Sequence, residues 1–391
     1  MSVQPLKKKE VKKGSFKDFK RTNGYTYNNA DKEMEWIIMP PGFQEATRLP
    51  GFPIGFVSSI LGHSNTSKST LMNHALAQAQ RQGIIPVIID TENAFDFTYA
   101  ISLGFEAEPV YDMVEEEIIN PETGEVNLVK NEKIVSYEGD FLYFNNSILA
   151  DRYGNIDYAS GKTTKTKRKT AVIEDVAQCI NDLLDAQDNG EVNVPFLFFW
   201  DSVGSIGSFQ EYSSGKKANN LWQAGAIAQS MQSIINDRIP SSKKITSEYT
   251  NTLILIQKLS VGMSPMGLPS AKGRGGYALQ YATRLQLFLG NISSAGIKTL
   301  SATSKGVVFN YGIETKIKVT KTHLPSPYDI TSEGKYVCTS KGIIKPNEVD
   351  EYRKKHLTEI INGLNKLLES KGETGVDSND IEFIETSEDE Q

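Results

Sequence analysis

Gly62-His63-Ser64-Asn65-Thr66-Ser67-Lys68-Ser69-Thr70 is the stretch that decides the reading of this chain. It fits the phosphate-binding loop pattern G-x-x-x-x-G-K-[ST] at every fixed position but one, where Ser67 takes the place of the second glycine. An apolar run from Gly55 to Leu61 precedes it and reads as a buried strand. Ser69 to Arg81 follows, with Leu71, Ala75, Leu76 and Ala79 at helical spacing. A loop between strand and helix offers backbone N–H groups and a helix N-terminus to phosphates. Lys68 would reach the terminal phosphates and Ser69 would ligate Mg²⁺. If position 67 needs a positive φ, serine there costs about 1 kcal/mol relative to glycine. The plain alternative is a serine-rich turn that happens to contain a lysine; spacing and context together speak against it.

Two further strand ends carry acids. Ile84-Ile-Pro-Val-Ile-Ile89 runs into Asp90-Thr91-Glu92, and Phe196-Leu-Phe-Phe-Trp200 runs into Asp201. A carboxylate at the C-terminal edge of a parallel strand beside a phosphate loop can polarise an attacking water. That suits Glu92, although a helix-capping acid would look the same. Asp201 has the form of the acid that holds the Mg²⁺ shell. Helical spacing recurs over Asp96 to Leu103, around Val172, Val176 and Ile180, and from Trp222 to Ile235. Strands are expected at Phe141 to Phe144 and Thr252 to Ile256. Strands apolar throughout and alternating with helices argue an α/β fold with a mainly parallel central sheet covered on both faces. Asn120 to Glu125 reads as a hairpin turn in an inserted segment, short strands dominate residues 285–343, and residues 346–370 read as one amphipathic helix.

Charge is unevenly spread over the 391 residues, whose net charge is -6. Residues 1–20 carry seven lysines against Glu10 and Asp18; residues 372–391 carry eight acids and no base. Each reads as a solvated terminus, or as a basic arm and an acidic tail that bear on nucleic-acid binding. Lys162 to Lys169 holds five bases in eight residues without an apolar face, which predicts an exposed loop that adds nothing to the fold and serves either solubility or, as a secondary site, the attraction of duplex DNA. Two distant cysteines, Cys179 and Cys338, exclude a disulfide scaffold and suit a reducing, cytoplasmic setting. No run reaches the ~20 apolar residues of a membrane span.

From Leu49 to Pro327 the order of these motifs resembles the RecA-type recombinases, and within them the phage UvsX-like branch. Asp90-Thr-Glu92-Asn-Ala-Phe-Asp96-Phe-Thr-Tyr99-Ala is similar to that family's Asp-Ala-Glu-His-Ala-Leu-Asp-x-x-Tyr-Ala stretch. The resemblance implies a RecA-like P-loop NTPase core over 45–343, with insertions near 108–140 and 148–170. It leaves a basic N-terminal arm or oligomerisation segment over 1–44, a C-terminal helix over 344–371 and an acidic, disordered tail over 372–391. It implies ATP and Mg²⁺ as cofactors, Glu92 as general base, and Asp96 and Tyr99 around the adenine. Gln257 becomes a γ-phosphate sensor that orders a mobile second DNA loop, Lys258 to Arg274, with Lys258, Lys272, Arg274, Gly275 and Gly276 as DNA contacts. The first DNA loop falls in Ser208 to Asn220, with Lys216 and Lys217. Lys321 and His323 stand where the family has a Lys-x-Lys pair that reaches a neighbour's ATP. The implied protein is a DNA-dependent ATPase that forms helical filaments on single-stranded DNA and exchanges strands with duplex, with single-strand-binding and mediator proteins as partners. A hexameric helicase, or a non-catalytic DNA-binding scaffold with a degenerate pocket, are the rival readings.

Overall fold

The computed structural model describes residues 30–119, 126–215, 220–263 and 269–387. An 11-stranded sheet organises the chain. Its strands are β1 (Val57–Gly62), β2 (Ile85–Asp90), β3 (Leu142–Asn145), β4 (Phe196–Val203), β5 (Thr252–Gln257), β6 (Leu285–Leu289), β7 (Ile297–Ser304), β8 (Val307–Thr322), β9 (Ser332–Thr339), β10 (Gly342–Ile344) and β11 (Glu382–Ser387). The order is β10-β9-β8-β6-β1-β5-β4-β2-β3, with β7 joining β8 to β11. The stretch from β6 to β3 is parallel throughout. The remaining strands pair antiparallel.

The apolar strands predict burial on both faces, and the side-chain period of two divides them. Phe196, Phe198 and Trp200 of β4 join one core with Val176 and Ile180 of helix α2 (Ile173–Asp188). Leu197 and Phe199 join the opposite core with Leu71 and Leu76 of helix α1 (Lys68–Arg81). This is a RecA-like α/β core.

Several expectations change at the edges of the core. Residues 36–44, expected in the basic arm, are part of the fold. Trp36–Ile38 pairs with Gly51–Pro53, and Trp36, Ile37 and Met39 are buried. Residues 1–29 of the expected arm lie outside the described residues. The insertion near 108–140 is a long antiparallel hairpin, Glu108–Ile119 against Val126–Glu138; its expected turn at 120–125 lies outside the described residues. The single helix expected over 346–370 is a 3-10 turn, Pro346–Glu348, followed by Val349–Lys355 and Leu357–Ser370, which break at His356.

The tail is not wholly solvated either. β11 pairs with β7, Phe383 and Ile381 pack beneath Tyr311 and Tyr352, and Glu385 pairs with Lys298 and Arg353. Alternation explains it: Ile381 and Phe383 supply an apolar face that a charge count does not register.

The basic loop also contributes to the fold. The Arg168 side chain is 4% exposed and bonds Asp175, itself fully buried, through both terminal nitrogens at 2.9 and 2.7 Å. Breaking a buried pair leaves one uncompensated charge, at a cost of about 3–5 kcal/mol. Arg168→Ala is therefore expected to lower unfolding stability in urea by about 3 kcal/mol, with Arg168→Lys recovering only part, since lysine cannot bond both oxygens in the plane. A loss under about 1 kcal/mol for Arg168→Ala would mean the pair is not structural.

Candidate nucleotide site

The loops that matter all leave the same edge of the parallel sheet, where β1, β5, β4 and β2 end side by side. Gln257 is in register with Leu61, and Asp201 with Asp90. Gly62 must lack a side chain, because a Cβ there would stand 2.7 Å from Thr66 Oγ1 and 2.9 Å from the Leu289 carbonyl. Ser67 is left-handed, with φ 66° and ψ 23°. The strain anticipated for a serine at this position is thus present. Its hydroxyl answers it by donating to the Thr66 carbonyl at 2.5 Å and meeting the Tyr336 hydroxyl at 2.9 Å. Tyr336 is fully buried on β9.

Lys68 opens α1. Its Nζ donates to the His63 carbonyl at 2.5 Å, folded over its own loop. Burial pushes its pKa down, while Asp201 and Glu92 oppose that shift. Ser69 is exposed on the first turn of α1.

Asp201 is held up to about pKa 7, first by burial, then by Glu92 and Asp90; Lys68 and Lys258 pull the other way. Such a carboxylate is short of positive charge, and a divalent cation would supply it. Among the described residues no group of three or more His, Cys, Asp or Glu could hold a metal. Mg²⁺ takes one or two protein ligands and completes its shell with phosphates and water.

Glu92 sits between two partners. The Ser202 hydroxyl donates to Glu92 Oε1, and Lys258 Nζ lies 3.3 Å from the same oxygen. Ser202 follows Asp201 through a cis peptide bond. The Thr91 hydroxyl braces this turn: it accepts from Trp200 Nε1 at 3.0 Å and from the Ser202 N–H at 3.1 Å, and lies 2.6 Å from Ser205 Oγ. Asp90 accepts from the N–H groups of Glu92, Ala94 and Phe95 and from Tyr143 Oη, fixing the loop that carries Glu92. Thr91, Ser202 and Tyr336 were missed in the sequence. Thr91 and Ser202 adjoin recognised acids, which was the one available signal; Tyr336 had none.

Gln257 is buried, and its amide donates to the Arg274 carbonyl at 2.6 Å. The segment expected to be mobile forms an antiparallel hairpin, Leu259–Met263 against Pro269–Gly273, with residues 264–268 outside the described residues. Its backbone bonds satisfy groups that an irregular loop would leave to water. Lys258 and Lys272 are exposed. Arg274 is turned inward, donating to the Gly204 carbonyl at 3.2 Å. Gly275 and Gly276, at φ 109° and 75°, carry the chain into the helix Gly276–Ala282. They have a backbone reason to be glycine beside any DNA contact.

Asp96 caps the short helix Phe97–Ser102 by accepting from the Tyr99 N–H at 3.0 Å. Tyr99 Oη lies 3.1 Å from Thr70 Oγ1 and donates to the Thr339 carbonyl at 3.3 Å. Its ring lines a cavity of about 460 Å³ beside α1, together with Tyr311, Ser340 and Tyr352. Lys321 and His323 are not brought to this loop. Lys321 pairs with Gln286, itself level with Ser59 of β1, and caps the helix Gly276–Ala282 by donating to the Gln280 and Tyr281 carbonyls. Lys216 and Lys217 lie outside the described residues. The first-loop segment before them is a capped helix, Phe209–Ser214, with Ser208 and Glu211 bonding each other's backbone.

Residues 38–148 match the model of the RecA N-terminal domain. This segment is similar to the RecA family. The chain is 32% identical to Protein RecA 1 of Myxococcus xanthus over 122 residues, 30% of this chain and 34% of that one. It is 40% identical to Protein RecA of Chlorobaculum parvum over 85 residues, 22% and 23% of the two chains, and 36% identical to Protein RecA of Aquifex aeolicus over 91 residues, 23% and 25%. The chain thus spans about a third or less of the length of these curated relatives. The RecA-type match covers the phosphate loop and Glu92 to Tyr99, and stops before Asp201 and Gln257. No helix among the described residues is long and apolar enough to cross a membrane.

Proposed function

We propose that this chain is a DNA-dependent ATPase that assembles on single-stranded DNA as a helical filament and promotes homologous pairing and strand exchange. The observation that carries the reading is the meeting of Lys68, Glu92, Asp201 and Gln257 at one edge of the parallel sheet. The RecA-type segment supports it.

In this reading the phosphates of ATP lie on Gly62 to Thr70. Lys68 leaves the His63 carbonyl for the terminal phosphates, and Mg²⁺ held by Ser69 and Asp201 would neutralise charge there. Glu92 accepts a proton from the attacking water as its oxygen bonds the γ-phosphorus and the bond to the bridging oxygen breaks. Tyr99 and the cavity it lines receive the adenine. Gln257 passes the presence of the γ-phosphate to the hairpin through Arg274. Lys321 and His323 act on the ATP of a neighbouring subunit. Electron microscopy with and without ATP and single-stranded DNA tests the reading: filaments that need both support it. Rings or monomers under every condition sink it.

Lys258 couples the two ligands. Its pairing with Glu92 occupies the base, and a half-exposed pair of this kind is worth about 0–1 kcal/mol. A DNA phosphate competes for the same ammonium. Lys258→Gln is expected to raise DNA-free turnover by roughly 2–5-fold and to shrink the stimulation by single-stranded DNA to match. An unchanged ratio between the DNA-bound and DNA-free rates would remove Lys258 from the coupling.

A further inference from the structure

Ser202 is out of step with the strand beside it. Where β4 pairs with β5, Asp201 faces Ile256 and Val203 faces Gln257, so Ser202 is the extra residue of a bulge. A bulge re-aims a side chain and leaves one residue outside the ladder. Here the Ser202 hydroxyl is aimed at Glu92 Oε1. Its N–H lies in a fully buried residue and must find a partner other than the neighbouring strand. That partner is the Thr91 hydroxyl, 3.1 Å away.

Thr91 is itself buried, and the bonding capacity of its hydroxyl is fully used. A hydroxyl offers one donor and two acceptor sites. Trp200 Nε1, at 3.0 Å, and the Ser202 N–H fill the two acceptor sites. The single hydrogen is best placed toward Ser205 Oγ at 2.6 Å, ahead of the Asp201 and Ser202 carbonyls at 3.2 Å. Ser205 in turn donates to the Ser202 carbonyl at 2.6 Å, which closes the bulge on itself. The Thr91 backbone is held too: its N–H donates to the Asp201 carbonyl at 2.7 Å, and its carbonyl accepts from Asn146 Nδ2 at 3.0 Å. Since Thr91 adjoins Glu92, one buried hydroxyl fixes both ends of the Ser202–Glu92 bond. The RecA-type stretch quoted above carries alanine at this position. In this core an alanine would leave the indole N–H of Trp200 and the N–H of Ser202 without a partner.

We propose that Thr91 is a positioning residue for hydrolysis: its hydroxyl holds the Ser202 bulge in the one arrangement that sets Glu92 toward the attacking water. The inference rests on the reading of Glu92 as the general base. The test makes Thr91→Val and Thr91→Ser in the full chain, with Glu92→Gln alongside. Valine keeps the shape of threonine and removes the hydroxyl; serine keeps the hydroxyl and removes the methyl group. Thermal unfolding checks the fold, calorimetry gives the affinity for ATP, and kcat and KM are measured with saturating single-stranded DNA.

The expected result for Thr91→Val is a kcat lower by roughly 10–100-fold, the cost of misplacing a catalytic group by about 1 Å, with ATP affinity and KM within about twofold of the parent. Thr91→Ser should recover most of the loss. A folded Thr91→Val protein with the parent kcat overturns this inference alone, provided that Glu92→Gln has lost turnover. If Glu92→Gln turns over at the parent rate, the inference falls together with the assignment of the base. Equal losses in the valine and serine variants overturn it as well, because the effect would then come from packing of the methyl group. So does a loss of ATP affinity in step with kcat, which would report a collapsed site. Should Thr91→Val not fold, Ser205→Ala decides, since it leaves the N–H groups of Trp200 and Ser202 paired and removes only the acceptor of the Thr91 hydrogen. A kcat lower by about fivefold at unchanged ATP affinity, the factor that one neutral hydrogen bond commands, supports the proposal, and the parent kcat overturns it.

Discussion

Lys68→Ala is expected to abolish the proposed ATP-dependent DNA binding. This ammonium is half-buried, its pKa is pushed down by that burial, and it donates to the His63 carbonyl at 2.5 Å. It is therefore a charge held ready for a ligand more negative than a carbonyl. A hydrogen bond between charged groups contributes about 1.5–3 kcal/mol, and the loop has no second lysine to replace it. The loss in nucleotide affinity should be on the order of 10²-fold or more. Without bound nucleotide, Gln257 and the hairpin behind it have no γ-phosphate to respond to. Removing a desolvated charge should leave the fold intact, so thermal unfolding of the variant without nucleotide stays near that of the parent. Nucleotide binding by calorimetry and DNA binding by anisotropy check the two halves. Normal ATP-dependent DNA binding by a folded Lys68→Ala protein would remove the phosphate-loop assignment.

Glu92→Gln separates binding from turnover. The substituted amide keeps an oxygen to accept from Ser202, so the loop that Asp90 and Thr91 brace should hold its shape. What it loses is the ability to take a proton. A positioned general base contributes typically 10²–10⁴-fold, so turnover should fall by about that factor while nucleotide affinity changes little. ATP held but not hydrolysed should also prolong the DNA-bound state, visible as filaments that persist after excess competitor is added. A variant that turns over at the parent rate would move the base to another group.

Much of this site was legible in the chain because its signals are local. Gly62 to Thr70 states its spacing within nine residues, and the strands before it and beside it announce burial by being apolar throughout. Glu92 and Asp201 could be placed near the loop because each follows an apolar run, and parallel strands put their C-terminal ends on one edge. The α/β class, the position of the phosphate loop and the acids around it followed from those periodicities.

What the tertiary structure decided involves partners far apart in the chain. The hydroxyl that relieves Ser67 belongs to Tyr336, 269 residues away, and the one that bonds Glu92 belongs to Ser202, 110 residues away. Neither residue type is distinctive by itself. Arg168 stood in a run of bases that reads as solvated, and only the packing of α2 against it supplies the Asp175 carboxylate that makes its burial tolerable. The last strand was hidden for a related reason: eight acids dominate residues 372–391, whereas the fold uses Ile381 and Phe383, and those matter only once β7 offers an edge to pair with. Sequence periodicity records which face of an element is apolar; which element covers that face, and which polar group answers another across it, is set when the chain closes on itself.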